Sequence, residues 1–324
     1  MEDVARAAGV SMVTVSRALN TPDKVASATL ADVRSAIERL RYVHNLTAGS
    51  LASRRSRIVA AIVPTIASSI FSDTVDGLAQ ALSPHRYQLL LGQSDYREDE
   101  EAALIAAFLG RGVDGLLLIG VKHARGVRAT LQRAGIPVVE TWDLTGRPID
   151  MLVGFSNEEA GRAAARHLIG KGYGSLGFIG GADDRSASRL QGFRAEARAQ
   201  GLDDIAVAQV PAPSSVPDGA AAMGELLQGA SPPRAVFCTN DMLAAGARFH
   251  CQRRGIDIPG GIALMGFADL PIAACMEPAL TSVQVRAHAM GQRAGELMIG
   301  RLTGAPRPER IIDLGFAVIE RKSA

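Results

Sequence analysis

The sequence predicts two unlike units in one chain: an all-α N-terminal unit of three short helices, and a larger α/β body of two doubly wound parallel-sheet subdomains. Three observations carry this. Residues 2–40 hold three helix-like segments with a glycine-containing turn between the first two. From Ile58 onward, apolar strand-like runs alternate with amphipathic helix-like runs, the pattern of parallel βαβ units. That alternation comes as two separate series, which implies two subdomains facing each other across a cleft.

Val4, Ala5 and Ala8 recur at helical spacing over residues 2–8. Gly9 and Val10 supply a tight turn, and Ser11 is placed to cap a second helix from Met12 to Leu19. Asn20, Thr21 and Pro22 break it. A third helix runs from about Thr29 to Leu40, with Leu30, Val33, Ile37 and Leu40 on one face. Together these describe a helix-turn-helix over residues 1–44. Residues 45–57, NLTAGSLASRRSR, form a polar, basic hinge in which Ala48, Leu51 and Ala52 fit a short helical turn. The body is expected over 58–324. IVAAIVP is a strand, Phe71–Leu82 a helix and YQLLLG a strand; GLLLIG (115–120) and IPVVE (136–140) continue the series. The second series is SLGFIGG (175–181), AVAQV (206–210), RAVFCTN (234–240) and GIALMGF (261–267).

Bulk properties exclude several classes. A chain of 324 residues is too long for one ordinary core and suits two or three domains. No apolar run approaches the ~18–20 residues a membrane span needs. The start, MEDVARAAGV, lacks the basic flank and apolar stretch of a secretory signal, so a cytoplasmic location is expected. Cys238, Cys251 and Cys275 form no CxxC pair and no metal-ligand spacing, and are expected to be buried apolar thiols. No metal or cofactor is expected. Charge is uneven: residues 1–57 carry nine Lys and Arg against five acids, a net of +4, leaving −2 on the rest. A basic head on a slightly acidic body suits a polyanion at one end.

EDVARAAGVSMVTVSRALN followed by RLRYVHN resembles the headpiece of the LacI/GalR repressors, and the likeness continues through nearly the whole chain. PVVETWDLTGRPIDMLVGFSN, GGADDRSASRLQGF, VFCTNDMLAAGA and IIDLGF are most similar to the gluconate-operon-repressor branch of that family. The resemblance implies a transcriptional repressor with a periplasmic-binding-protein-like sensor, a palindromic double-stranded operator, a homodimer and a small-molecule effector. After Leu314 the chain holds no heptad tail for tetramers. In the family several residues, including a Thr cap, usually precede the Asp-Val-Ala of helix one. Here Met1 stands almost directly before it, which fits a truncated or misassigned start.

The resemblance places the second helix in the major groove, N-terminus first. Met12 and Val13 are either core or base-reading residues. Val10 and Val15 already fit the core role, so Met12 and Val13 are assigned to thymine methyls. Thr14, Ser16 and Asn20 can donate to phosphates or base edges, and Arg17 to a guanine. Leu51 matches the family's hinge leucine, which wedges into a minor-groove step, or is an ordinary helix-face leucine. Arg54, Arg55 and Arg57 are expected near phosphates, or as a solvated linker.

In the sensor, Ser69, Ile70 and Phe71 follow the first strand and line the cleft in the family; alternatively Phe71 is core. Arg189 matches the family's effector-binding arginine, and Arg185 lies one helical turn earlier. Two guanidiniums point to a carboxylate or phosphate, unless Asp183 and Asp184 neutralise them. Asn240 can donate to and accept from a hydroxyl, while Asp241 is either a ligand or a helix cap. Trp142 is placed to stack on a sugar ring and Asp143 to accept hydroxyl protons. Glu140 and His123 are weaker candidates. Phe267-Ala268-Asp269 stands where many relatives have Phe-Asp-Asp; losing that acid while holding a second arginine favours an anionic effector, a sugar acid such as gluconate first.

Two other classes compete. A sugar-binding transport protein shares the two-lobed body, but residues 2–57 argue against it. A sugar kinase or hydrolase would need a motif such as GxxxxGK[ST], GxSxG or HExxH, and none occurs.

Overall fold

In the computed structural model, residues 1–42, 55–67, 69–305 and 309–324 are described, the side chain of Asn20 excepted. The chain divides into two compact units, Met1–Ser56 and Arg57–Ala324. The first contains α1 (Glu2–Ala7), α2 (Met12–Asn20) and α3 (Ser27–Leu40). Gly9, at φ +65°, turns the chain between α1 and α2. The Ser11 hydroxyl accepts from the Thr14 N–H at 3.1 Å and caps α2 as expected. Val4, Val15 and Val33 are fully buried where the helices meet, with Ala5, Ala18 and Ala36 around them.

The second unit holds two six-stranded sheets. The first has the order β11-β5-β4-β3-β1-β2 and is parallel throughout. Its strands are β1 (Ile58–Val63), β2 (Gln88–Gln93), β3 (Gly115–Ile119), β4 (Val138–Thr141), β5 (Met151–Gly154) and β11 (Ile311–Asp313). The second has the order β12-β10-β9-β8-β6-β7, with only β12 antiparallel. It comprises β6 (Leu176–Gly181), β7 (Ile205–Val210), β8 (Ala235–Cys238), β9 (Ala263–Ala268), β10 (Thr281–Val285) and β12 (Phe316–Ile319).

The helices of this unit are α4 (Ser72–Leu82), α5 (Glu98–Gly110), α6 (Val127–Ala134), α7 (Asn157–Gly170), α8 (Asp184–Ala199), α9 (Val216–Gln228), α10 (Asp241–Arg253), α11 (Pro271–Cys275) and α12 (Ala287–Thr303). The chain crosses between sheets after β5, after β10 and after β11. The last crossing carries residues past Leu314, where no element was expected, into β12. Strands β5, β10, β11 and β12 were not anticipated, because each is short or followed by too few apolar residues to read as a run. The helix expected from Phe71 opens instead with a 3₁₀ turn, Ser69–Phe71.

Helix pairs pack backbone to backbone through glycine. A Cβ at Gly192 on α8 would lie 1.9 Å from the Glu158 carbonyl oxygen on α7, and one at Gly291 on α12 would lie 1.9 Å from that of Thr74 on α4. Cys238 and Cys251 are buried as expected, but Cys275 is exposed at the end of α11. Among the described residues, no helix is long and apolar enough to cross a membrane, and no His, Cys, Asp and Glu group is arranged to hold a metal ion.

Candidate DNA-reading helix and effector cavity

In the N-terminal unit, α2 begins with two apolar side chains on the surface. Met12 is 53% and Val13 60% exposed, whereas Val15 is fully buried. Two adjacent uncovered apolar residues at a helix N-terminus gain nothing for this unit's core. Arg17 is exposed one turn on, and Thr14 and Ser16 are half-buried. The Thr14 hydroxyl lies 3.0 Å from that of Ser11, so it is oriented by the cap.

In the larger unit, a narrow cavity lies where the two sheets face each other. Its walls are the segments that follow strand ends: Thr65 and Phe71 after β1, Tyr96 after β2, Trp142 after β4, Asp183 to Arg189 after β6, and Ser214 and Asn240 after β7 and β8. These are the carboxyl ends of the strands, on both sides of the β1/β3 and β6/β8 order reversals, where α/β sheets place ligands. A more open cavity of about 370 Å³ adjoins it, and Tyr96, Asp183 and Arg185 line both.

Arg189 is the most unusual group there. It is 5% exposed and its guanidinium lies over the Phe267 ring at 4.2 Å. Nη1 donates to Asn157 Oδ1 at 2.5 Å, while the buried Nε has no hydrogen-bond partner among the described residues. Burial pulls its pKa down to about 10, with Asp183 opposing and Arg185 adding to the fall, so it remains a cation at neutral pH. Arg185 is 9% exposed, with its guanidinium 5.5 Å from the Phe71 ring and 5.6 Å from that of Tyr96. Its Nη1 donates to the Ile119 carbonyl at 3.5 Å, reaching from the second sheet's subdomain to the first. Burial raises the Tyr96 pKa, and Arg185 opposes the rise.

The nearby acids are otherwise engaged. Asp183 Oδ1 accepts the N–H groups of Arg185 and Ser186 at 3.1 Å and caps α8; it is 4.0 Å from Arg185 Nε. Asp184 pairs with Lys122 at 2.6 Å, bridging the two subdomains. Two buried cations therefore face a polar cavity with no carboxylate hydrogen-bonded to either among the described residues. Such an arrangement can donate hydrogen bonds to an anion and balance its charge.

Comparison with known proteins places the chain. Residues 1–45 match the bacterial regulatory proteins of the lacI family, and residues 165–324 the periplasmic binding protein-like domain. The HTH-type transcriptional regulator GntR of Pseudomonas aeruginosa is 37% identical over 325 residues, covering 100% of this chain and 95% of the relative. GntR of Escherichia coli K12 is 31% identical, covering 98% and 96%. The crystal structure of a LacI-family regulator from Silicibacter pomeroyi superposes with a TM-score of 0.92 at 32% identity, covering 99% and 98%. The chain belongs to the LacI family.

This LacI-family protein is a DNA-binding transcriptional regulator of the repressor class, and its relatives are regulators, not enzymes. Family members bind operator DNA and small-molecule effectors. The cavity brings together Ile70, Phe71, Trp142, Arg185, Arg189 and Asn240 of the residues singled out from sequence. Phe71 satisfies both of its readings, since it is 3% exposed and still forms wall. Trp142 is 1% exposed, with Phe71 at 5.0 Å and Phe155 at 6.0 Å edge-on, and its indole N–H donates to Thr74 Oγ1 at 2.9 Å. Asn240 caps α10 through Leu243 N–H and donates to Ser214 Oγ at 3.0 Å. Asp143 is half-buried and accepts from the Leu144 N–H; it is not part of the wall, but its charge raises the Arg189 pKa.

Other expectations need correction in this regulator. His123 is not a ligand group: its side chain is 6% exposed and held between Glu101 Oε1 at 2.7 Å and Glu140 Oε1 at 3.2 Å. Glu140 is likewise consumed, also accepting the Ile149 N–H. Ser69 is exposed on the outside of its turn, and its carbonyl accepts from Ser72. Asp241 neither caps nor lines. It is fully buried, accepting from Leu270 N–H at 2.6 Å and Ser282 Oγ at 2.7 Å. Arg57 is exposed, with its guanidinium over the Tyr87 ring at 5.4 Å and donating to the His85 carbonyl, while its backbone N–H donates to Asp114. Leu51 and Arg54 lie outside the described residues, and of Asn20 only the backbone, ending α2, is described. Sequence reading passed over Tyr96, Thr65, Ser214 and Asn157. Applying the strand-end rule to QSDY after β2 would have found Tyr96.

Proposed function

We propose that this regulator is a dimeric repressor released by a sugar acid of the gluconate class, bound on Arg189 and Arg185 between the sensor subdomains. The observation that carries the effector class is Arg189, a buried guanidinium with an unpartnered Nε and no carboxylate hydrogen-bonded to it among the described residues. A neutral sugar would leave that cation uncompensated; a carboxylate would complete it. Phe71 and Trp142 offer apolar ring surface for the carbon chain, and Asn240 and Ser214 offer hydroxyl partners. Asp143 tunes Arg189 through charge. At the other end, α2 lies in the major groove, with Met12 and Val13 against thymine methyls and Thr14, Ser16, Arg17 and Asn20 on phosphates and base edges. Paired headpieces on a palindromic operator require a homodimer, joined through residues 58–324, acting in the cytoplasm. The effector acts by favouring one arrangement of the two subdomains over another.

The test is thermal melting of the full chain against gluconate, keto-sugar acids and neutral hexoses. Bound ligand at 100 times its Kd adds about 2.7 kcal/mol of stability. Gluconate or a keto-sugar acid should raise Tm, glucose should not, and Arg189→Ala should abolish the rise. An equal rise with glucose, or an undiminished one in Arg189→Ala, would overturn the assignment.

A further inference from the structure

We infer that Asn157 is the positioning residue that couples the effector on Arg189 to the first subdomain, and through it to operator release; this rests on the sugar-acid reading above. Asn157 is the first residue of α7, directly after the first crossover between sheets. Its side chain is fully buried and its amide works in two directions. Nδ2 donates to the Trp142 carbonyl at 2.8 Å, and Oδ1 accepts from Arg189 Nη1 at 2.5 Å. Trp142 directly follows β4 in the first subdomain and Arg189 stands on α8 in the second. One side chain thus bonds to both lobes at the point where the chain passes from one to the other.

The chemistry selects an amide. The Trp142 side of the contact is a carbonyl and needs a donor; the Arg189 side is a guanidinium and needs an acceptor. A carboxylate in place of Asn157 would face the carbonyl with another acceptor and neutralise the arginine, in competition with the effector. An aliphatic residue would leave both buried groups unpaired. The Phe267 ring also holds the guanidinium, with no carboxylate hydrogen-bonded to it among the described residues, so the ring keeps it in place for ligand when the Asn157 oxygen is removed. An effector carboxylate drawing on the same guanidinium pulls on one end of the amide. The other end holds a backbone carbonyl at φ +68°, whose own indole is tied to Thr74 on α4. Movement of Arg189 is therefore passed to the strand end and α4 of the opposite lobe.

Trp142 is the chain's 1 tryptophan, so native-state emission comes from this site. In full-length protein without ligand, Arg189→Gln should shift the emission when Asn157 is present and leave it unshifted in an Asn157→Ala background. With ligand, Asn157→Ala should bind gluconate by calorimetry with a Kd within about fivefold of wild type, yet the ratio of operator Kd with and without saturating gluconate should fall by about tenfold or more, inside the range of measured allosteric couplings. Operator affinity without gluconate should be unchanged, which separates coupling from damage to the fold. If Asn157→Ala does not fold, Asn157→Ser is expected to give the same pattern, because its hydroxyl cannot reach both partners. An emission shift of equal size in both backgrounds, or an unchanged operator ratio, overturns the proposal. If wild type binds no gluconate, the sugar-acid reading fails, while the ligand-free emission cycle still decides the role of Asn157.

Discussion

Replacing His123 with glutamine should remove a pH-dependent contribution to the stability of the sensor body. Burial alone would push the imidazole pKa down from 6.5. Hydrogen bonds and charge from Glu101 and Glu140 outweigh it and raise the value to about 9. A histidine whose pKa rises on folding contributes stability that is fully present below its unfolded value, here below about pH 6.5, and lost as pH rises through about 9. At about 1.4 kcal/mol per pH unit, the rise corresponds to about 3 kcal/mol. The side chain is 6% exposed, so solvent screening takes little from this figure. Urea unfolding followed by Trp142 emission would read it, since that indole lies in the same subdomain. The gap in unfolding free energy between wild type and His123→Gln should be about 3 kcal/mol larger at pH 6 than at pH 10. A gap that is the same at both pH values would refute the claim that the imidazolium, rather than the packing of the ring, holds the two carboxylates.

Asp241 gives the same sign of pH dependence from the opposite cause: burial, disfavouring its charged form, raises its pKa from 3.8 to about 7 against the hydrogen bonds from Ser282 and Leu270. Wild-type stability is therefore expected to fall as pH rises from about 4 to 7, and Asp241→Asn should gain about 2–4 kcal/mol at pH 8, checked by urea titration at both ends of that window. Gly192→Ala should cost about 1–3 kcal/mol of sensor stability by calorimetry, because the added methyl meets backbone of α7 that cannot swing away. Arg17→Ala should narrow the gap between specific and random DNA affinity by about 1–3 kcal/mol in fluorescence anisotropy at fixed salt. An unchanged gap would remove Arg17 from base readout.

What could be read from the sequence was whatever repeats or stands next to a strong local signal. The three headpiece helices were legible because Ser11, Gly9 and Pro22 punctuate them, and the eight strands anticipated because their apolar runs are uninterrupted. Strand β11, three residues long, acquires its identity from pairing with β5 some 160 residues earlier, and nothing local announces it. The same holds for the site. Arg185 and Arg189 were visible as a pair one turn apart on a helix. Whether Asp183 and Asp184 neutralise them depends on where those acids turn, toward the helix N-terminus and toward Lys122, and that is a matter of tertiary placement. His123 illustrates the converse. A histidine near a strand end reads as a ligand until Glu101, from a helix that spacing does not connect to it, is seen 2.7 Å away.

The left-handed backbone positions show how the cleft walls are held. Asp95, Tyr96, Trp142, Ala268 and Asp269 all have positive φ without being glycine, and all stand at or just past the carboxyl ends of β2, β4 and β9. Such conformations cost on the order of 1–3 kcal/mol each and persist where surrounding contacts over-determine them. For Trp142 and Asp269, part of that support comes from segments that return after a later crossover. Trp142 N–H meets Met290 on α12, and Asp269 is bonded by Arg321, which lies beyond β12. A chain that finished each lobe before starting the next would have no such reach. Because it re-crosses, the walls of each half are braced by residues that arrive through the hinge, and a ligand that moves the hinge necessarily changes the support of the strand ends it touches.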